Sequence, residues 1–296
     1  MGDAIRERRP DWLRITLRTD ESFRAMRSMV GELHLNTVCE EARCPNIYEC
    51  WNAGTATFMI LGDTCTRSCG FCNVKSGRPS PGTDRDEPAH VAEAVARLAL
   101  KHAVITSVDR DDLPDGGAAH FAAVNEAIRG RTPACAVEVL TPDFKKKPDA
   151  LDVVLDARPT VFAHNVETVP RMYKTARPGS NYEGSVGLLR EAASRRDREG
   201  ATLRVKSSII VGMGETDDEV LEVMRDLTAA GVDVVTLGQY LQPTPQHLPV
   251  ARWVHPDMFV SFRRKGLAMG LLHVEAGPLV RSSYHAERHR PDSNLA

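Results

Sequence analysis

Six of the chain's seven cysteines fall between Val38 and Cys72. They form two groups of three: Cys39, Cys44 and Cys50 in VCEEARCPNIYECW, and Cys65, Cys69 and Cys72 in DTCTRSCGFC. Each triplet is one thiolate short of the four that close a tetrahedral zinc site or fully ligate an iron–sulfur cluster. The fold must bring each triplet to a point, and something outside each triplet must complete it. Disulfides are the competing use of these residues. An odd cysteine count, tight clustering and an N-terminus without an apolar h-region, MGDAIRERRPDWLRITLRTD, argue instead for a reducing compartment with thiolates kept for metal. Asp3, Glu7 and Asp11 interrupt the arginines of that N-terminus, which is expected to be a surface arm of a cytoplasmic protein.

Composition narrows the function classes. With 38 basic and 40 acidic residues in 296, the formal charge is −2, so no global charge favours nucleic acid. No apolar run reaches the roughly 18 residues of a membrane-spanning helix. A chain of this length buries a full-sized core, and no shift in composition marks a second independent domain.

After a short helix expected over Ser22–Leu33 and the first cysteine loop, strands and helices alternate. Strands are expected at Thr55–Gly62, Ala103–Val108, Ala134–Leu140, TVFAHNV, TLRVKSSIIVG, VDVVTLGQY and LLHVEAGP. Helices are expected at PAHVAEAVARLAL, HFAAVNEAIRG, Pro148–Asp156, VPRMYKTA, GSVGLLREAASRRDREG, ETDDEVLEVMRDLTAAG and Pro256–Met269. Such alternation implies βα units around a parallel sheet, either open and doubly wound or a partial barrel. Polar, glycine-rich segments concentrate just after the strands, as DRDD, TPDF, NVET, GMGET and GQYLQPT. In a barrel these loops share one mouth, which favours an α/β partial (β/α)6 TIM-like barrel with the N- and C-terminal extensions covering the mouth.

The spacing Cys65-x3-Cys69-x2-Cys72 sets three thiolates on one loop after the first strand. Three cysteines hold three irons of a 4Fe-4S cluster and leave one iron open. A zinc site with a distant fourth ligand and a ferredoxin-type cluster are the alternatives, though the latter needs a fourth cysteine. With Phe71 before the last cysteine, the motif resembles the signature of the radical S-adenosylmethionine superfamily. That resemblance implies S-adenosylmethionine chelated at the open iron, its reductive cleavage to a 5′-deoxyadenosyl radical, and hydrogen abstraction from an unactivated carbon. A second stretch, Ser208-Ile-Ile-Val-Gly212-Met-Gly-Glu215, resembles the superfamily's G-x-I-x-G-x-x-E strand, with Ser208 where glycine is usual. It implies a cofactor-binding role for Gly212 and Glu215, against the plain reading of a capped strand-to-helix turn.

Cys39-x4-Cys44-x5-Cys50 lacks a fourth Cys or His at finger spacing, and Cys135, inside an apolar strand, reads as a small buried hydrophobe. The order of the two triplets, with DRDDLPDGGA, HNVETVPRMY, GQYLQPTPQHLPV and GPLVRSSYHAE, resembles the lipoyl synthase family from about Cys39 to Ala286. The resemblance implies two 4Fe-4S clusters per chain. It makes Ser283 the ligand completing the auxiliary cluster on Cys39, Cys44 and Cys50, and makes that cluster the sulfur donor for C6 and C8 of a protein-bound octanoyl-lysine. It also divides the chain into an N-terminal extension (1–54), the barrel (55–270) and a C-terminal extension (271–296). The implied partners are octanoylated lipoyl domains of a 2-oxoacid dehydrogenase E2 or glycine cleavage H protein, an electron donor such as flavodoxin or ferredoxin, and an iron–sulfur cluster carrier that rebuilds the auxiliary cluster. A serine oxygen is harder than thiolate and a weaker match for iron–sulfur, which suits a cluster meant to be dismantled. The nearby Arg281 is placed to lower its pKa. The chain departs from the family at Ser68, where a basic residue is usual.

Other candidates sit after strands: Asp109, Arg110, Asp111 and Asp112; His164 and Asn165; Gln239 and Tyr240. Asn165 is a polar contact for cofactor or substrate, and Arg177 a partner for a carboxylate or ribose. Lys145, Lys146 and Lys147 offer attraction to an acidic carrier or form a solvated run. A biotin synthase would lack the first triplet, and a methylthiotransferase would bring a basic RNA-binding appendage. A two-cluster electron carrier without catalysis is the reading from another class.

Overall fold

The computed structural model describes residues 8–15, 20–42, 44–52, 55–147 and 149–291. Residues 1–7 and 16–19 of the predicted arm, and Pro148 where a helix is predicted to open, lie outside these. The strands are β1 (Asn36–Thr37), β2 (Thr57–Ile60), β3 (Thr64–Cys65), β4 (Lys75–Ser76), β5 (His102–Ser107), β6 (Ala136–Leu140), β7 (Val161–Ala163), β8 (Arg204–Val211), β9 (Val234–Gln239) and β10 (His273–Gly277). The helices are α1 (Glu21–Glu32), α2 (Val38–Glu41), α3 (Ile47–Asn52), α4 (Glu87–Arg97), α5 (Ala118–Arg131), α6 (Ala150–Asp156), α7 (Tyr173–Ala176), α8 (Tyr182–Glu199), α9 (Asp217–Ala229) and α10 (Pro256–Met269).

Seven strands run parallel in the order β2-β5-β6-β7-β8-β9-β10, each hydrogen-bonded to the next. Every residue of β2 and of β9 is buried, as expected of parallel strands covered on both faces. The helices supply the outer cover through apolar stripes: α4 buries Val91, Ala92, Ala94 and Val95, and α9 buries Val220, Leu221, Val223, Met224 and Leu227. The start of α9 is set by a capping box in which Thr216 and Glu219 satisfy each other's backbone N–H groups. The sheet is open at its edges, and the alternation read from the sequence is realised as a partial barrel.

One strand was not foreseen: the short β1 adds to β2 antiparallel. The strand expected at LLHVEAGP forms as β10 and pairs with β9 as the last parallel strand. The first cysteine group is also not simply a loop. Cys39 lies in α2, which starts where the Thr37 hydroxyl accepts from the Glu40 N–H, and Cys50 lies in α3. A cap of this kind nucleates a single turn too short to show as hydrophobic periodicity.

Candidate active site

The loops at the carboxyl ends of the strands enclose a cavity of about 500 Å³. Cys65, Cys69, Phe71 and Cys72 of the second cysteine motif line it, together with Asn165, Arg177 and, from the C-terminal segment, Ser283. A small adjoining pocket is lined by Cys39, Cys44, Cys50 and Ser283. Thr57, Arg281 and Ser283 wall both spaces, so the two triplets face one another across shared residues.

The Cys65–Cys72 loop is held by the backbone and by one arginine. The Cys65 sulfur accepts N–H groups from Arg67 at 3.4 Å and Asp109 at 3.3 Å. The Arg67 guanidinium, almost wholly buried, forks onto both oxygens of Asp111 at 2.8 and 3.0 Å and both of Asp143 at 2.6 and 2.9 Å, and reaches Ser180 at 2.7 Å. It thereby ties the cysteine loop to the loops after β5 and β6. The Gly70 N–H donates to the Ala176 carbonyl and its own carbonyl accepts from Leu248 N–H, both at 2.9 Å. A Cβ at Gly70 would lie 2.9 Å from Leu248 Cγ and 3.2 Å from the Thr175 oxygen, so only glycine fits between them. Phe71 packs on a small cluster of Ala176, Met213, Tyr240 and Val250. The Cys72 carbonyl is met by His247 Nε2 at 2.9 Å.

The first triplet is clamped between the second and the C-terminus. Asn73 donates to the Glu41 carbonyl at 2.7 Å, and Asn46 donates to the Leu279 carbonyl at 2.7 Å. The C-terminal segment comes close because Gly238 has no side chain: a Cβ there would lie 1.9 Å from the Val280 oxygen.

Burial pushes the thiols up, Cys39 and Cys69 to about 12 and Cys72 to about 11, and the neighbouring cysteines of each triplet push in the same direction. Three crowded thiols per pocket cannot ionise together against only each other; a cationic cluster held there would compensate the thiolates. Arg281 lowers Cys44 and Arg177 lowers Cys69, each opposing the effect of burial. Among the described residues no carboxylate lines the small pocket; beside its three cysteines it offers the hydroxyls of Thr55, Thr57, Ser283 and Tyr284 and the Asn46 amide. Both donor sets fit iron–sulfur clusters.

The remaining predicted residues divide. Asn165 spends its amide on Glu167 Oε1 at 3.0 Å, and Arg177 donates to the Asn165 carbonyl at 2.8 Å while facing Tyr173 and Ser185. Gly212 and Glu215 are not on the cavity wall: the Glu215 carboxylate accepts N–H groups from Gly212, Met213 and Gly214 at 2.6 to 3.1 Å, and holds the turn into α9. Of the acidic loop only Asp109 lines the cavity, its carboxyl raised by burial. Arg110 turns away to Asp112 and the Leu61, Ser80 and Gly82 carbonyls, and Asp111 is paired with Arg67 and Lys145. Lys145 is therefore engaged at the mouth, and Lys147 reaches the Asp111 carbonyl. Gln239 and Tyr240 line the cavity, with the Gln239 amide fixed on the Tyr240 and Arg252 carbonyls and the Val254 N–H. Arg67 and Glu167 were missed; the acidic character of the loop at Asp111 was the only signal for the first. Cys135 stays apart from both pockets, buried beside Ala136.

Residues 59–227 match the model of the radical SAM superfamily, and residues 2–44 match that of the N-terminal domain of lipoyl synthase. The lipoyl synthase of Rubrobacter xylanophilus is 54% identical over 97% of this chain and 88% of its own. Those of Chromobacterium violaceum and Thiobacillus denitrificans are 52% and 53% identical, over 95% and 96% of this chain and 88% and 90% of theirs. The chain belongs to the lipoyl synthase family. As a radical S-adenosylmethionine enzyme of this family it uses S-adenosylmethionine and a 4Fe-4S cluster, with a second, auxiliary cluster. Distant solved structures share the lipoyl synthase fold. Streptococcus suis SuiB bound to precursor peptide SuiA has a TM-score of 0.52 at 10% identity, covering 92% of this chain and 51% of its own. HydG, a maturase of the [FeFe]-hydrogenase, has a TM-score of 0.51 at 10% identity, covering 94% and 66%.

Proposed function

We propose that this chain performs the lipoyl synthase reaction with Cys65, Cys69 and Cys72 holding the cluster that meets S-adenosylmethionine, and Cys39, Cys44, Cys50 and Ser283 holding the auxiliary cluster. The reaction inserts two sulfur atoms, at C6 and C8 of an octanoyl chain carried on a lysine of a lipoyl domain. When bound, the first cluster supplies the electron that splits S-adenosylmethionine, and the second supplies the sulfur. The observation carrying this reading is the wall of Thr57, Arg281 and Ser283 common to the two cysteine-lined spaces. Sulfur must be captured where the hydrogen is removed, so the two sites have to open on one volume.

The chain's own residues shape that volume. Val38, Met59, Val108, Leu140, Ile209 and Ile210 give the wall an apolar surface suited to an acyl chain and poor for water. Arg177, buried near Cys69, is the fixed positive charge that would hold the polar end of S-adenosylmethionine, and Phe71 is the apolar face beside the last cysteine. The Asn165 carbonyl, anchored by Arg177, orients that wall. Arg281 supplies positive charge beside Cys44 and Ser283, favouring the ionised forms of both. The lipoyl domain is that of a 2-oxoacid dehydrogenase E2 or a glycine cleavage H protein, a flavodoxin or ferredoxin delivers electrons, and an iron–sulfur carrier rebuilds the auxiliary cluster. Residues 1–54, 55–270 and 271–296 act as auxiliary-site extension, barrel and serine-bearing closure. Among the described residues no helix is long and apolar enough to cross a membrane.

The test is anaerobic incubation of the reconstituted chain with dithionite, S-adenosylmethionine and an octanoyl-lysine peptide. Mass spectrometry is expected to find two added sulfurs, and Ser283→Ala is expected to release 5′-deoxyadenosine yet give little lipoyl product. A full product yield from Ser283→Ala removes the serine from the ligand set, and no 5′-deoxyadenosine from the wild type overturns the reading as a whole.

A further inference from the structure

Below the cavity the barrel interior is polar. Side chains along a strand alternate between faces, so residues two positions back from cavity-lining ones fill the next layer down. Ser208 and Leu140 line the cavity; Lys206 and Glu138, two residues earlier on β8 and β6, are fully buried in that lower layer. They pair at 2.8 and 3.0 Å. His102 at the start of β5 and His273 at the start of β10 are buried with them. Barrel interiors are usually filled at this level by branched apolar side chains. Here the C-terminal segment adds a further imidazole: His289, six positions after Ser283 in the sequence, is completely buried against the His273 ring, with centroids 5.0 Å apart.

His289 has no hydrogen-bond partner on either ring nitrogen. A polar group left buried and unmatched is destabilising until a partner is supplied. With neither nitrogen engaged, the ring has a lone pair free for a ligand. Next to it, His273 Nε2 and Glu275 Oε2 are 3.3 Å apart, and one ligand atom from each of His273, Glu275 and His289 lies within 4.8 Å of the others. Glu138, the other buried carboxylate of the layer, is occupied by Lys206.

We propose that His273, Glu275 and His289 form a structural site for a divalent transition metal of zinc type, which fastens the C-terminal segment into the barrel. Two imidazoles and a carboxylate are a donor set that zinc accepts. A tetrahedral ion with bonds of about 2.0–2.1 Å holds its ligands about 3.4 Å apart. His273 and Glu275 already have that spacing, and His289 closes on them by at most about 1.4 Å through side-chain rotation. The fourth position is left to water. This site is separate from both cysteine triplets: none of its three ligands lines either cysteine pocket. Its effect on the chain is to pin the segment that presents Ser283 from a point beyond that serine.

The test uses the holoenzyme, its cysteines loaded with iron, stripped of adventitious metal by dialysis against a chelator and then exposed to zinc sulfate. Metal analysis is expected to find one zinc per chain beside the iron. X-ray absorption at the zinc edge is expected to show nitrogen and oxygen neighbours at about 2.0–2.1 Å and no sulfur at about 2.3 Å. His289→Ala is expected to weaken zinc binding at least tenfold with iron and sulfide unchanged. If that variant does not accumulate folded, Glu275→Gln, at a half-buried position, is expected to show the same tenfold loss. No retained zinc in the wild type, sulfur in the zinc shell, or wild-type affinity in the variant that folds each overturns the proposal.

Discussion

The Tyr284 hydroxyl donates to Glu49 Oε1 at 3.0 Å, joining residues 235 positions apart in the chain. Glu49 precedes Cys50 and Tyr284 follows Ser283, so this one bond runs alongside the proposed union of the first cysteine triplet with its serine. Asn46 and the Leu279 carbonyl make a parallel tie 233 positions apart, and Asn73 with Glu41 joins the two cysteine loops to each other. Three chain segments are thus held in register at the barrel mouth.

Tyr284→Phe deletes the hydroxyl and keeps the ring. The bond lies at the surface, so the loss of global stability is expected to stay near 1 kcal/mol or less. Retention of the auxiliary cluster is the more sensitive readout, because the serine is then held by fewer contacts. Under challenge with an iron chelator, half of the bound iron is expected to leave several times faster than from the wild type. Equal loss curves would mean that the tie does nothing for the site.

Gly238→Ala places a methyl against the Val280 carbonyl, a main-chain atom that cannot rotate away. The C-terminal segment must lift from β9 or the strand must shift, at a cost of about 1–3 kcal/mol. Lipoyl product is expected to fall at least tenfold while 5′-deoxyadenosine is still formed, since the Cys65–Cys72 loop packs elsewhere. Loss of both products together would place the damage in the barrel and not in the serine segment.

The parts of this architecture visible in the sequence are those encoded locally. Strands such as Thr57–Ile60 are short, β-rich apolar runs, and each cysteine triplet is a spacing within a dozen or so residues. What was hidden depends on partners brought together by topology. Arg67 looks like an ordinary loop arginine until Asp111 and Asp143, 44 and 76 positions on, close around it. His289 reads as one of several polar residues in a terminal tail until the barrel interior receives it. Glu215 shows the opposite limit: its motif is clear, but spacing cannot distinguish a turn that binds a ligand from one whose N–H groups take the turn's own carboxylate. Ser283 has no local signature, and only resemblance singled it out.

His164 follows directly on β7, with its Nδ1 2.8 Å from the Thr141 carbonyl, which only accepts, so that nitrogen carries the proton. Burial first, and then the charge of Arg177, bring the ring down to about 4 from 6.5. Between these values the unfolded chain binds a proton that the folded chain does not, so the stabilisation is complete above 6.5 and drains away as pH falls toward 4. The whole effect is on the order of 3 kcal/mol, with roughly 2 lost between pH 7 and pH 5. Urea unfolding at those two pH values is expected to show a smaller difference for His164→Gln than for the wild type. Identical differences would assign the acid sensitivity to other groups.

Arg67 distinguishes a charge from a shape. Its fork satisfies four carboxylate oxygens of Asp111 and Asp143 at once, and the arginine also holds Asp143 well below the usual carboxylate range. Arg67→Lys keeps the positive charge but offers one point in place of a planar fork, so it can serve only one of the two acids well. Arg67→Ala leaves both with their main partner removed, at a cost of about 3 kcal/mol given their partial exposure. The damage is expected to be local, because Arg67 sits between Cys65 and Cys69 and draws that loop onto the barrel mouth. Reconstituted wild type is expected to carry about eight irons per chain, and Arg67→Ala about four, with Arg67→Lys between them. The iron that remains should sit on Cys39, Cys44 and Cys50, so adding Cys39→Ala to Arg67→Ala is expected to remove most of it. If Arg67→Ala keeps all eight irons, the arginine is not what positions the Cys65 loop.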